Sequence, residues 1–169
     1  MEPLKPRRAP LTDVIEMRKD FGGGGEMLDV LPALVICAEG EHREKLMRAI
    51  RECGLRPVRC CSQSEALLLL DRQYFSVVFC NDTLPDGDFR AIINEARKSS
   101  ADVPVIILSQ RADWDAYLGA IGAGAFDYIT CPPDSAETKR ALWSAISSRL
   151  RRPALAAASA TADKKGVTV

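Results

Sequence analysis

Four apolar runs in this chain end on side chains with chemical potential. Cys37, Ala38 and Glu39 follow the run from Ala33 to Ile36, and Asn81 and Asp82 follow the run from Val77 to Cys80. Ser109 closes the run that starts at Val103, and Cys131 follows the run from Phe126 to Thr130. A carboxylate is a nucleophile and a ligand for hard cations, and a thiol is redox-active once ionised. The amide of Asn81 is a poor nucleophile and carries no charge. His42 is the only histidine. It opens a helical stripe four residues before Leu46, with no Cys or Asp beside it in a known motif, so it reads as a helix residue with no triad or metal role. Glu39 favours a helix N-terminus through the dipole, and alone it is a weak metal ligand. The six cysteines form no C-x-x-C pair, and most sit in apolar runs. They read as free thiols of a reduced, cytoplasmic protein, with no metal site.

The surrounding elements must bring those run ends together. Beta-type runs cover residues 33–37, 57–61, 75–81, 103–109 and 126–130. Between them Leu46, Ala49, Ile50 and Cys53 repeat at i, i+3, i+4, i+7, and Gly54 ends that helix as a C-cap. Ser64 is the expected N-cap of a short helix through residue 73. Phe89, Ile92, Ile93 and Ala96 give a third helix. A fourth, near 113–123, carries Trp114, Leu118 and Ile121 on one stripe; Gly119 and Gly122 each cost it about 1 kcal/mol relative to Ala. Residues 134–151 form the last helix, with Leu142, Ile146 and Leu150 inward. Five apolar strands alternating with five helices predict an α/β (βα)5 fold. Its parallel sheet is buried on both faces, with the ligand crevice beyond the strands' carboxyl ends.

Lys plus Arg and Asp plus Glu both number 23, so the net charge is zero. No basic field points to nucleic acid, and no apolar run reaches membrane-spanning length. The N-terminus has basic residues without a following apolar stretch, so it is not a secretory signal. Residues 1–31 read as a flexible leader with a short helix from Thr12 to Asp20 and a Gly22–Gly25 linker. Met27, just after that linker, is an alternative start to Met1. Residues 32–151 form the domain, and the small-residue segment 152–169 reads as a disordered tail.

Three segments carry a family resemblance. FSVVFCNDTLPDGDF, DVPVIILSQRAD and GAGAFDYITCPP, in that order on a (βα)5 frame, resemble the receiver domain of bacterial two-component response regulators over residues 32–151. The resemblance implies a flavodoxin-like doubly wound sheet of order 2-1-3-4-5. In such domains an aspartate ending the third strand takes a phosphoryl group from a histidine kinase, and carboxylates after the first strand hold Mg²⁺. A Ser or Thr ending the fourth strand and a Lys ending the fifth bind the phosphoryl oxygens. Here the acceptor position is Asn81. The acidic positions fall on Cys37 and Ala38, with only Glu39 one place on, and the lysine position is Cys131. Ser109 is retained, as is Tyr128 at the aromatic position that rotates on activation. The glycine after the turn is replaced by Phe89, with Gly87 in partial compensation. The resemblance therefore implies a stand-alone pseudo-receiver with weak or no Mg²⁺ binding and no enzymatic activity. It would act on another signalling protein (a kinase, receiver or output protein) or on a second copy of itself.

Two alternatives remain at this stage. One is phosphorylation at a displaced carboxylate, although Asp82 should point away from the pocket because alternate strand positions face opposite ways. The other is a thiol sensor. Cys37 and Cys80, on neighbouring strands, are its expected pair; Cys37 and Cys131 lie too far apart, and Cys60 and Cys61 face opposite ways. The expected partner surface carries Trp114, Tyr128 and Trp143. Arg149, Arg151 and Arg152 should complement the last helix's C-terminal dipole.

Overall fold

The computed structural model describes residues 31–98 and 102–162. The expected leader, apart from Leu31, and the end of the expected tail lie outside those residues. Five strands make one parallel sheet: β1 (Pro32–Ile36), β2 (Arg56–Cys60), β3 (Val77–Asn81), β4 (Val105–Ser109) and β5 (Asp127–Thr130), in the order 2-1-3-4-5. Five helices connect or follow them: α1 (Glu41–Glu52), α2 (Gln63–Arg72), α3 (Phe89–Lys98), α4 (Trp114–Ala123) and α5 (Ser135–Ala162). The fold is the (βα)5 one that the alternation predicts, with the flavodoxin-like strand order that the resemblance implies.

The pleat divides the core into two layers. Ala33, Val35 and Cys37 of the first strand segment join Val77, Phe79, Ile106 and Leu108 beneath α1 and α5. Leu34 and Ile36 join Val78, Cys80, Val105 and Ile107 beneath α2 and α3. Burying a side chain such as Phe79 on this scale contributes roughly 1.5–3 kcal/mol. The edge strand β2 carries exposed Arg56 and Arg59 and half-buried Pro57, which guard it against further pairing.

Several local expectations need correction. The N-cap of α2 is Ser62, whose hydroxyl accepts the Glu65 amide at 3.2 Å, and not Ser64. Ser64 lies inside the first turn and bonds to Asp86 instead. In α4 the stripe of Trp114, Leu118 and Ile121 is split: Trp114 is 70% exposed and Leu118 49%, while half-buried Ile121 packs against the core. The buried residue is Ala120, flanked by half-buried Ala116 and Ala123. A stripe of alanines lets the helix approach the sheet closely, and Trp114 and Leu118 turn outward. Helix α5 runs to Ala162, past its expected end at residue 151. The alanine-rich sequence there favours helix over coil. Arg149 does not serve the C-terminal dipole; it is buried and donates to the carbonyls of Phe75 and Ser76 at 3.1 and 3.0 Å.

A two-residue ladder, Thr83–Leu84 against Gly87–Asp88, follows β3 and reaches back to α2. Gln63 Oε1 accepts the Asp88 amide at 2.9 Å, and a Cβ at Gly87 would overlap the Gln63 carboxamide. Asp86 accepts the Gln63 amide at 2.6 Å, the Ser64 amide at 2.9 Å and the Ser64 hydroxyl at 2.5 Å. The Ser64 hydroxyl, then the Ser64 and Gln63 amides, hold its carboxyl down at about 2, below the ordinary 3.8. Because the folded value is the lower one, the stabilisation is whole above the ordinary value and vanishes as pH falls through about 2. Thermal melts should therefore show Asp86→Ala melting a few degrees below wild type at neutral pH. That gap should close as the pH drops from 3.8 to about 2.

Candidate functional site

The carboxyl ends of β1, β3 and β4 open into a cavity of about 440 Å³. Cys37, Ala38, Glu39, Asn81, Ser109 and Cys131 all line it, as the run ends require. Cys37 and Ser109 are buried, Asn81 and Cys131 half-buried, and Ala38 and Glu39 exposed. The ladder pairs Ile36 with Cys80, so Cys37 comes beside Asn81 one step further on. Burial pushes the Cys37 thiol up; the Arg43 charge and the Asn81 side chain oppose that. Burial also pushes Cys131 up, to about 11. The Cys131–Pro132 peptide is cis.

Asp82 corrects the sequence reading. It lines the cavity, and its Oδ2 accepts the Ser109 hydroxyl at 2.6 Å. Asp82 lies just past β3, where its amide bonds to the Leu108 carbonyl, so it stands beside Ser109 in register. Alternation does turn it from Asn81, but Ser109 is turned the same way relative to Leu108. The cavity spans both layers of the rim. The Arg111 amide donates to the Ser109 hydroxyl at 3.1 Å and completes this cluster.

Arg43 is the residue that motif reasoning missed. Its side chain is only 5% exposed, yet it lines the cavity. Nη2 donates to Glu39 Oε1 and Nη1 to Cys61 Sγ, both at 3.3 Å, and buried Nε has no hydrogen-bond partner. Arg43, Leu46, Met47 and Ile50 repeat at i, i+3, i+4, i+7, so a charge on the apolar stripe was the available signal. His42 is exposed on the cavity wall.

The donors present do not fit Mg²⁺, which needs near-octahedral hard oxygens. Cys37 is soft, Asn81 is neutral, Glu39 is tied to Arg43 and Asp82 to Ser109. Among the described residues no group of three or more His, Cys, Asp or Glu is placed to hold a metal ion. The expected Cys37–Cys80 thiol pair also fails, because the two lie in opposite core layers: adjacent strands share a face only at residues in register, and Cys80 is in register with Ile36. All six cysteines are free.

Trp114 stacks on Tyr117 with ring centroids 5.2 Å apart, and Tyr117 meets Tyr128 edge-on at 5.9 Å. The Tyr128 hydroxyl donates to the Arg111 carbonyl at 3.0 Å. Trp143, on α5, is 44% exposed and takes no part in that stack. Among the described residues no helix is long and apolar enough to cross a membrane.

The family profile of the response regulator receiver domain matches residues 34–142. The chain is 28% identical over 121 residues to response regulator protein PilR of Pseudomonas aeruginosa, covering 72% of this chain and 27% of PilR. It is 32% identical over 99 residues to the KDP operon transcriptional regulatory protein KdpE of Escherichia coli, covering 59% of this chain and 44% of KdpE. The chain thus spans less than half the length of these relatives. A response regulator receiver domain protein from Clostridium thermocellum superposes with a TM-score of 0.64 at 24% identity, over 75% of this chain and 99% of that one. The receiver domain of a sensor histidine kinase from Pseudomonas aeruginosa, solved with a magnesium ion in its active site cleft, gives 0.62 at 23%, over 69% and 98%. These two likenesses bear on the fold.

The Asp82–Ser109 bond has a measurable consequence for stability. Ser109→Ala removes the hydroxyl between a carboxylate and the Arg111 amide, and urea unfolding should show a loss of about 1–3 kcal/mol. Ser109→Thr keeps the hydroxyl and should recover most of it.

Proposed function

The chain belongs to the response regulator receiver domain family, and from that membership we propose that it works as a pseudo-receiver in bacterial two-component signalling, by protein–protein contact without aspartyl phosphorylation. The observation that carries this reading is Asn81 at the acceptor position, in register beside a thiol where the family places metal-binding carboxylates. Phosphoryl transfer needs a carboxylate nucleophile, a metal held by hard anions and a cation for the developing charge. Asn81, Cys37, Ala38 and Cys131 supply none of these. The proposed contact surface is exposed Trp114 with half-buried Tyr117 and Tyr128 packed beneath it, and exposed Trp143 on α5; surface aromatics of this kind are enriched among binding hot spots. Its partner is another signalling protein in the cytoplasm (a kinase, a receiver or an output protein) or a second copy of this chain. Neither nucleic acid nor membrane enters the proposal.

A second reading is favoured by one contact. Asp82 reaches Ser109, the retained hydroxyl, and so presents a carboxylate at the cavity. Intact mass after incubation with acetyl phosphate and Mg²⁺ separates the readings. The wild-type chain should gain no phosphoryl adduct, and neither should Asn81→Asp, which restores the nucleophile without the metal carboxylates or the lysine. A labile adduct on wild type that disappears in Asp82→Asn would overturn the pseudo-receiver reading and establish the second one.

A further inference from the structure

We infer that Cys37 and Cys61, side by side at the ends of β1 and β2 with the Arg43 guanidinium against them, form a reversible disulfide on exposure to a peroxide. The β1–β2 ladder pairs Ile36 with Cys60, and the Cys37 amide extends it by donating to the Cys60 carbonyl at 3.2 Å. One residue on, Cys37 stands beside Cys61. Cys37 packs in the core layer beneath α1, and Cys61, just past β2, meets Arg43 of α1 on that same side. Neighbouring strands lie about 4.8 Å apart, inside the roughly 4.4–6.8 Å between Cα atoms that a disulfide accepts.

Arg43 marks the pair as more than two packed thiols. Its Nη1 donates to Cys61 Sγ at 3.3 Å, its charge also acts on Cys37, and its buried Nε is left without a hydrogen bond. The thiolate is the species that attacks a peroxide. Cys61 is the more exposed of the two and meets the oxidant first, while Cys37 is buried at the cavity wall. The other thiols are poorly placed. Cys60 and Cys80 sit in the opposite layer, where burial pushes Cys60 up to about 12 and Cys80 further. Cys131 follows β5, three strand spacings of about 4.8 Å from β1.

The chemistry balances with hydrogen peroxide as oxidant. The Cys61 sulfur attacks one peroxide oxygen, the O–O bond breaks, and hydroxide leaves and takes up the Cys61 proton as water. The Cys37 sulfur then attacks the Cys61 sulfenic acid, the S–O bond breaks, and the hydroxyl leaves with the Cys37 proton as a second water. Two thiols lose two electrons and one peroxide gains them. The new bond takes Cys61 Sγ away from Arg43 and leaves that guanidinium with Glu39 on the cavity wall.

The test uses the reduced full chain, stepwise hydrogen peroxide, thiol blocking, and mass mapping without reduction. One intramolecular Cys37–Cys61 cross-link is expected, with a loss of about 2 Da that dithiothreitol reverses. Fragmentation between Cys60 and Cys61 assigns the sulfur. Cys37→Ser should stop the reaction at a sulfenic acid on Cys61 that dimedone labels, and Arg43→Gln should slow it several-fold. Because Cys37 is buried, the more exposed Cys61→Ala, checked for unchanged far-ultraviolet circular dichroism, serves as the second variant and must abolish the cross-link. No cross-link, a Cys37–Cys80 or Cys37–Cys131 cross-link, or one that survives in Cys61→Ala would overturn the inference.

Discussion

β1 is hydrogen-bonded in parallel to β2 on one side and β3 on the other, and a slip of one residue in either ladder would exchange its two faces. That register is held from both sides of the sheet. Ala33 and Val35 pack under α1 and α5, while Leu34 and Ile36 pack under α2 and α3. A shifted strand would lose both sets of contacts at once. The rim inherits its geometry from this constraint. Cys37 stands by Asn81 and Cys61 because Ile36 is fixed between Cys80 and Cys60. The site residues are placed by the core beneath them more than by contacts among themselves.

Charge at the rim is arranged differently from what phosphoryl chemistry would need. A carboxylate cluster repels itself unless a cation fills it; here the enclosed charge is a cation, Arg43. Burial alone would lower its guanidinium, but hydrogen bonds to Glu39 and Cys61 outweigh that and hold it charged. Glu39 is largely solvent-exposed, so the guanidinium is bridged outward to water through its partner. A buried charge costs little only while such partners remain, and removing one leaves it uncompensated. The rim therefore depends on Glu39 and Cys61 for reasons unrelated to metal binding.

The two layers and the residues that meet at the cavity could be read from the sequence, because alternating apolar runs and their last residues leave little freedom in a parallel sheet, whereas the strand order came from the family resemblance. The errors have a common cause. Asp82 was assigned outward by counting along β3 alone, whereas its position is decided by Ser109 on β4. Cys80 was matched to Cys37 by strand adjacency, whereas register pairs it with Ile36. The stripe of Trp114, Leu118 and Ile121 marks one helix face, but which of its side chains meet the core is decided by the sheet beneath, against which Ala120 and Ile121 pack. Arg149 looked like a dipole partner until the carbonyls of Phe75 and Ser76 came within reach. Each depends on what lies across from a residue, and a one-dimensional pattern does not contain that.

One further consequence concerns how the cavity communicates with the surface. Asp82 accepts from Ser109, Ser109 accepts from the Arg111 amide, and the Arg111 carbonyl accepts from Tyr128. Tyr128 then meets Tyr117, which stacks on exposed Trp114. The path passes through Arg111 by its backbone, so its geometry is set by the turn after β4 and not by the arginine side chain. Ser109 is buried and its hydroxyl is engaged on both sides, so it cannot move without breaking a bond to Asp82 or to Arg111. Displacing Ser109 at the rim would thus be felt at Tyr128 through two hydrogen bonds and the backbone of one residue. None of these links requires a phosphoryl group. Any event that competes for the Ser109 hydroxyl or repositions Asp82 acts on the same path, and a protein bound over Trp114 and Tyr128 acts on it from the other end, since linkage between two sites is reciprocal.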